Sequence, residues 1–247
     1  MSGWAMPHRT ISGRIRYTSN KPGHEGQWRG REDFAFTHHR DGRVTLQARC
    51  EIAEPEPAVL RHIVYSLDEK GRPFDCLVRL DVGGAFMGSG LVAFDWAAGT
   101  VSCRSHGPSI GRLEQQLPIG EGLDGFGTHP IAGDAYLTKC MDVGRGPHRR
   151  RIRALLPSPD HRGATPPMVA EVRIGLEYVG DAEAECPAGR FRCHHFRFVD
   201  DEGPGMGGKP HPPYDMWVTA DADRLFVKGG VGGDMATWYE LETLSRD

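Results

Sequence analysis

Apolar side chains recur at every second position through most of this chain, and turn residues interrupt the alternation at short intervals. A period of two is the pleat of a half-buried β-strand, whereas a helix needs a period of three to four. Ile11, Gly13, Ile15 and Tyr17 share one face of a first segment, and Phe34, Phe36 and His38 share one face of the next. Asp41-Gly42 is a strong hairpin signal. It turns the chain into Val44, Leu46, Ala48 and Cys50, which again lie together. A further strand is expected at 59–67. Lys70-Gly71 then leads into Phe74, Cys76, Val78, Leu80 and Val82, whose opposite face carries Asp75, Arg79 and Asp81 but also Leu77. Segments at 85–96 and 100–105 continue the pattern through Ala98-Gly99.

The alternation breaks at 120–133, which is glycine-rich and aperiodic. Residues 134–143 read as the one helix, with Asp134 as its N-terminal cap. The basic run at 145–153 reads as a solvated loop or as an edge strand blunted by charge, and a proline-fenced loop at 157–167 follows. Strands resume at 168–179 and 190–199. A second loop rich in Gly and Pro, at 200–213, separates them from the closing strands at 214–220, 225–228 and 237–244. The stretch Gly229-Gly230-Val231-Gly232-Gly233 lacks the strand and helix that flank a dinucleotide-binding loop, and reads as a flexible hairpin loop.

Roughly a dozen strands joined by short turns imply antiparallel pairing between neighbours, because parallel pairing needs long crossovers. A sheet of that size curls, splits or closes. The expectation is therefore a single mainly β domain over 1–247. It would be a large antiparallel, closed or nearly closed, lipocalin-like β-barrel with one short helix and a central cavity. The 33 glycines and 18 prolines among 247 residues fit so many turns.

The formal net charge is -3 with both signs interspersed, so the broad positive field of a nucleic-acid module is missing. No stretch approaches the roughly 18 apolar residues of a membrane span. Residues 1–10 hold no apolar signal core, so a cytoplasmic location is expected. The six cysteines are scattered, which favours reduced, mostly buried thiols.

No GxSxG elbow, P-loop, HExxH or CxxC is present, so neither a cofactor nor a metal is expected. The twelve histidines carry the chemical interest, since imidazole exchanges protons near neutral pH. His161 stands between Asp160 and Arg162 in the proline-fenced loop, as an acid or base beside an anion-binding group. The plainer reading is a charged turn in which Asp160 pairs with Arg162. His129 precedes a proline-fixed bend, or simply a helix-entry loop. His194 and His195 point to opposite faces, and the sequence leaves open which faces inward. His211 leads into a strand where Tyr214 opposes Asp215 and Trp217; the plainer reading is an aromatic core with Asp215 accepting backbone hydrogen bonds. Glu32 shares the face of Phe34, Phe36 and His38, so it is either paired, with Arg79 as partner, or raised in pKa for proton transfer.

The segments Pro187-Ala188-Gly189-Arg190-Phe191, Cys193-His194-His195-Phe196, Tyr214-Asp215-Met216-Trp217-Val218 and Leu225-Phe226-Val227-Lys228 resemble the bacterial domain-of-unknown-function family 3108. That resemblance implies a lipocalin-like β-barrel and transfers no catalytic residue. Many members look exported, a trait not carried over to this chain. Gly127-Thr128-His129-Pro130 and Asp160-His161-Arg162-Gly163 place it with a cytoplasmic subgroup.

The functional expectation is a cofactor-independent enzyme that binds a mostly apolar, aromatic small molecule. It would act by acid–base chemistry of the lyase, isomerase or hydrolase type. His161, His129 and His195 would do the proton transfer with Asp160 and Asp215. Arg162, Arg31, Glu32, His38, Tyr214, Trp217 and His194 would bind the substrate. The alternative is a non-catalytic carrier or sensor with the same cavity. A homodimer is left open.

Overall fold

The computed structural model describes residues 8–200, 210–233 and 235–247. The alternation becomes one antiparallel meander. Its first arm is β1 (His8–Ser19), β2 (Trp28–His39), β3 (Val44–Ile52), β4 (Val59–Leu67), β5 (Pro73–Val82), β6 (Ala85–Asp95), β7 (Thr100–Gly107) and β8 (Gly111–Pro118). A two-residue strand, β9 (Gly125–Phe126), and the helix α1 (Ile131–Leu137) follow, and two 3₁₀ turns continue from α1. The second arm is β10 (His148–Leu156), β11 (Ala170–Cys186), β12 (Gly189–Val199), β13 (Tyr214–Thr219), β14 (Phe226–Val231) and β15 (Thr237–Arg246).

The two arms join where β1 pairs with β15, giving a single 15-stranded sheet with β8 and β9 at its edges. The edges do not pair, so the barrel is not closed by hydrogen bonds among the described residues. Side chains and a loop cover the seam instead. Phe126 of β9 packs against Phe94 of β6 and Tyr65 of β4, each ring 5.6 Å away. The 157–169 loop crosses to the first arm, where Val169 N–H donates to Gln115 Oε1 of β8 at 2.9 Å. Gly90 makes room for that crossing, since an added Cβ there would lie 2.6 Å from Ser105 and 3.0 Å from Pro167.

Inward-facing positions supply the core, among them Ile11, Ile15, Phe36, Phe196, Met216 and Leu241, all 2% exposed or less. α1 lies inside the barrel, with Tyr136 stacked on Phe36 at 4.7 Å. The helix begins three residues earlier than the sequence suggests, so Asp134 sits in its first turn and Pro130 takes the capping position. The cap comes from another strand: Glu32 accepts the N–H groups of Ile131 (2.7 Å) and Ala132 (2.9 Å). No local sequence rule looks a hundred residues away for a capping group.

Three further expectations are corrected. The 229–233 stretch is not a flexible loop, because Gly229 and Gly230 belong to β14. A Cβ on Gly230 would meet the Trp238 ring at 2.8 Å, so the missing side chain makes room for the indole. Residues 111–118, unassigned from sequence, form β8. Phe74 is exposed because a register irregularity between Ser66 and Leu67 rotates it out. The basic run does form a strand, β10, flanked on one side only by the two residues of β9. The tips of the 200–213 loop and of the N-terminal segment (201–209 and 1–7) lie outside the described residues.

Candidate functional site

A cavity of about 500 Å³ opens at the end of the barrel where β1 reaches Tyr17. A smaller lobe of about 110 Å³ adjoins it, lined by Leu137, Ile152, Ala154, Leu156, Val172, Ile174 and Phe198. His129, Asp134, His161, His211 and Tyr214 line both, and so stand where the larger cavity and the smaller apolar lobe meet. These five come from the β9–α1 loop, α1, the 157–169 loop and the segment leading into β13.

His129 has a positive φ of 69° at the turn into α1. Its Nε2 is buried and has no hydrogen-bond partner among the described residues. Burial, with the Arg61 charge second, pulls its pKa down to about 3, so the ring is neutral at pH 7. The 157–167 loop runs close over it: a Cβ on Gly163, where φ is +60°, would lie 2.8 Å from the His129 ring and 2.4 Å from Arg61 Nη2. His161 and His211 pack ring to ring at 5.2 Å. His211 donates from Nδ1 to the Pro212 carbonyl at 2.6 Å, and burial lowers its pKa.

Asp134 accepts the Thr128 N–H at 3.2 Å. Burial, then the nearby Glu32 carboxylate, push its pKa up to about 7, opposed by the Thr128 N–H and by Arg61. A carboxyl tuned to neutrality and reached from a cavity fits proton transfer. Tyr214 Oη is buried with no partner among the described residues, and burial holds its phenol well above the ordinary range.

Glu32 faces inward, as its place beside Phe34 and Phe36 requires. Its partners are α1 and Tyr17, whose hydroxyl donates to it at 2.7 Å, not Arg79, which lies over the Phe86 ring. Burial raises the Glu32 pKa against the pull of those three hydrogen bonds.

Asp160 and Arg162 also line the larger cavity, whereas the other expected site residues fall elsewhere. Asp160 turns its Oδ2 to the Ala164 N–H at 2.8 Å and shapes the loop; it makes no ion pair with Arg162 among the described residues. Arg162 donates from Nη2 to the Pro55 and Pro57 carbonyls. Arg31 points outward to Glu51 at 2.9 Å. His38 faces inward at the opposite end, 3.8 Å from Asp223.

His195, Asp215 and Trp217 form an outer-surface group. The His195 ring stacks on Trp217 at 4.3 Å and its Nε2 lies 2.7 Å from Asp215, which Arg197 also holds. His194 takes the inner side, against Tyr178 and Phe196, with Asp181 2.6 Å away. The register places His195 opposite Trp217, so neither ring reaches the cavity.

The sequence reading omitted Arg61, which is 1% exposed and lines the cavity. Its signal was present in β4, where Arg61 interrupts the inward row of Val59, Ile63, Tyr65 and Leu67. Among the described residues no group of three or more His, Cys, Asp or Glu is placed to hold a metal ion, and no helix is long and apolar enough to cross a membrane. The described cysteines are all free thiols.

No family model matches the chain, and no curated protein matches it. Among solved structures it is similar to a β-barrel-like protein of domain of unknown function DUF1849 from Brucella abortus. That likeness has a TM-score of 0.58 and 13% identity over 98% of both chains. A DUF1089 family protein from Pseudomonas aeruginosa aligns with a TM-score of 0.41 and 13% identity over 84% of this chain and 94% of its own. The first likeness shows a β-barrel-like fold. It supports the expected β-barrel-like kind of domain, but not family 3108 in particular.

Proposed function

We propose that this β-barrel-like domain is a cofactor-independent enzyme that binds a mostly apolar, ring-bearing small molecule and acts on it by acid–base chemistry. The observation that carries the reading is the meeting of His129, His161, Asp134 and Tyr214 at the junction of the larger cavity and its smaller apolar lobe. In this reading the apolar body of the substrate lies against Ile152, Val172 and Phe198. Asp134, with its pKa near 7, exchanges the proton. The neutral His129 and the Tyr214 hydroxyl hydrogen-bond the oxygen on which charge develops, and His161 completes the pair of proton carriers. Lyase, isomerase and hydrolase steps all fit this set, and the protein is placed in the cytoplasm.

One observation favours a carrier or sensor instead: a histidine held neutral down to about pH 3 is a weak base. Turnover separates the two readings. Aryl β-hydroxy acids, aryl enols and aryl esters are offered without added cofactor. Asp134→Asn and His161→Ala should each lower the rate about 10²-fold, the scale of lost general acid–base catalysis, while both variants remain folded at the assay temperature. Binding of these compounds without any product assigns the carrier role. Absence of both binding and turnover removes both readings.

A further inference from the structure

Arg61 is the group in this cavity that the acid–base reading leaves idle. It sits mid-strand in β4, facing inward, and its Nη2 donates to the backbone carbonyls of Arg162 and Gly163. Its other N–H groups make no hydrogen bond, and it forms no ion pair, among the described residues. An arginine does not shed its proton. An enclosed guanidinium without a paired anion is costly, so it marks a place where an anion belongs.

Of the acids nearby, Asp134 feels the Arg61 charge but accepts the Thr128 N–H and forms no ion pair with the guanidinium among the described residues, and Glu32 is committed. Glu32 lies two strands away in register, through Cys50, and already takes the helix N–H groups and Tyr17. The neighbouring cations are also engaged: Arg29 holds Glu54 and Thr237, and Arg162 holds the Pro55 and Pro57 carbonyls. Arg162, like Arg61, is held by backbone carbonyls on one nitrogen, but Arg61 is the more deeply enclosed of the two at 1% exposure and lines the cavity. Gly163 approaches both Arg61 and His129, so an anion on the guanidinium comes beside the polar end of the apolar lobe.

We infer that Arg61 anchors the carboxylate of an amphipathic acid whose apolar body enters the lobe between Ile152, Val172 and Phe198, an assignment that rests on the ligand-binding part of the reading above. One uncompensated guanidinium beside a neutral His129 matches a single negative charge. A phosphate monoester brings close to two charges and more acceptor oxygens. The helix N-terminus that might have taken them is occupied by Glu32.

Titration calorimetry of the full chain with naphthoic acid, naphthalenemethanol and naphthyl phosphate tests this, since the three share one apolar body. The acid should bind the native protein at least about tenfold more tightly than the alcohol, the scale of one charge-assisted hydrogen-bonded pair. Arg61→Met should bring the acid to the alcohol's affinity and leave the alcohol unchanged, while Arg61→Lys keeps part of the preference. Equal binding of acid and alcohol by the native protein, or an acid preference that survives Arg61→Met, overturns the anchor and leaves the cavity reading intact. Tighter binding of the phosphate than of the acid overturns the carboxylate assignment. If none of the three binds, the ligand-binding reading falls and the inference with it. Should Arg61→Met fail to fold, the native comparison and Arg61→Lys decide.

Discussion

The two ends of this barrel gather similar side chains and use them differently. At the end where β1 begins, Asp223 accepts both Nη atoms of Arg9 at 2.6 and 3.0 Å, with Arg246 at 3.6 Å and His38 at 3.8 Å. Lys139 lies 3.9 Å over the Tyr136 ring, and Phe36 and Tyr136 fill the interior behind it. At the Tyr17 end the same residue types face a cavity, with an arginine that has no acid and a carboxyl pushed toward neutrality; a histidine nitrogen and a phenol without partners occur at both ends, His129 and Tyr214 here and His38 and Tyr136 there. Paired charge with solid packing is what a fold needs to hold its shape. An enclosed guanidinium without an acid and a carboxyl held near neutrality beside a cavity cost stability, and groups of that kind cluster where a function requires them.

The contrast is sharpest at α1, which separates the two ends. Glu32 holds the start of the helix with two hydrogen bonds and accepts a third from the Tyr17 hydroxyl. Glu32→Ala leaves those three donors enclosed without an acceptor and should cost about 3 kcal/mol, measured by urea unfolding. It should also abolish probe binding, because Asp134 and His129 are positioned by the same turn. A loss below about 1 kcal/mol would mean that water replaces the carboxylate and that α1 does not depend on it.

The next largest effect is a pH dependence with opposite signs at two neighbours. Asp134 keeps its proton to about pH 7 when folded, whereas an unfolded carboxyl loses it near 3.8. The native protein therefore loses stability as pH rises between those values, and Asp134→Asn should gain on it over that window. The gain should reach about 2 kcal/mol at pH 8, taking account of water that enters the cavity. His129 behaves in the reverse way. Folded, it refuses a proton down to about pH 3, and unfolded it accepts one below 6.5, so stability falls as pH drops through that range. The two slopes oppose each other between pH 4 and 6.5, and Asp134→Asn should uncover the histidine limb as a steeper acid loss. A flat difference between native and variant from pH 4 to 8 would show that Asp134 titrates as an ordinary carboxylate.

At the packed end Asp223→Asn should cost less, about 1 kcal/mol at pH 7, because Arg9 is 44% exposed and its charge is screened. Arg9 holds the Asp223 pKa below the usual range. That stabilisation is present above the ordinary carboxylate pKa and is lost as pH falls through the lowered one, so variant and native should converge in acid. Naphthoic acid affinity should not change. If it does, the ends are coupled through α1 and the division drawn between them fails.

Much of the architecture was legible because a period of two leaves few options. Apart from Phe74, the inward rows of β1 to β5 and the turns at Asp41-Gly42, Lys70-Gly71 and Ala98-Gly99 appear where the alternation puts them. At the site, His129, His161 and Tyr214 were recognisable from loops and proline-fixed bends, and all three line the cavity. What escaped depends on contacts far apart in the chain. Glu32 caps a helix about a hundred residues away, and the two-residue β9 exists only because it lies along β10. Arg61 escaped for a different reason: it breaks an apolar row, and a break is easily passed over when the row itself is the signal sought.

The smallest predicted effect bears on the histidine pair whose facing the sequence left open. His195 stacks on Trp217 and meets Asp215, but Asp215 keeps Arg197 at 2.9 Å when the imidazole is removed. His195→Gln should therefore cost at most about 0.5 kcal/mol, the usual size of a change at a partly exposed surface group. It should leave both turnover and naphthoic acid affinity unchanged. A tenfold fall in either would place the ring on the reaction path and turn β12 over, because a one-residue slip moves every side chain of a strand to the other face. His194 would then exchange places with His195, and Phe196 and Phe198 would leave the core. Such a register exposes two phenylalanines that are now 0% and 6% exposed. A result of that kind at His195 would thus count against the packing of the second arm as much as against the placement of the site.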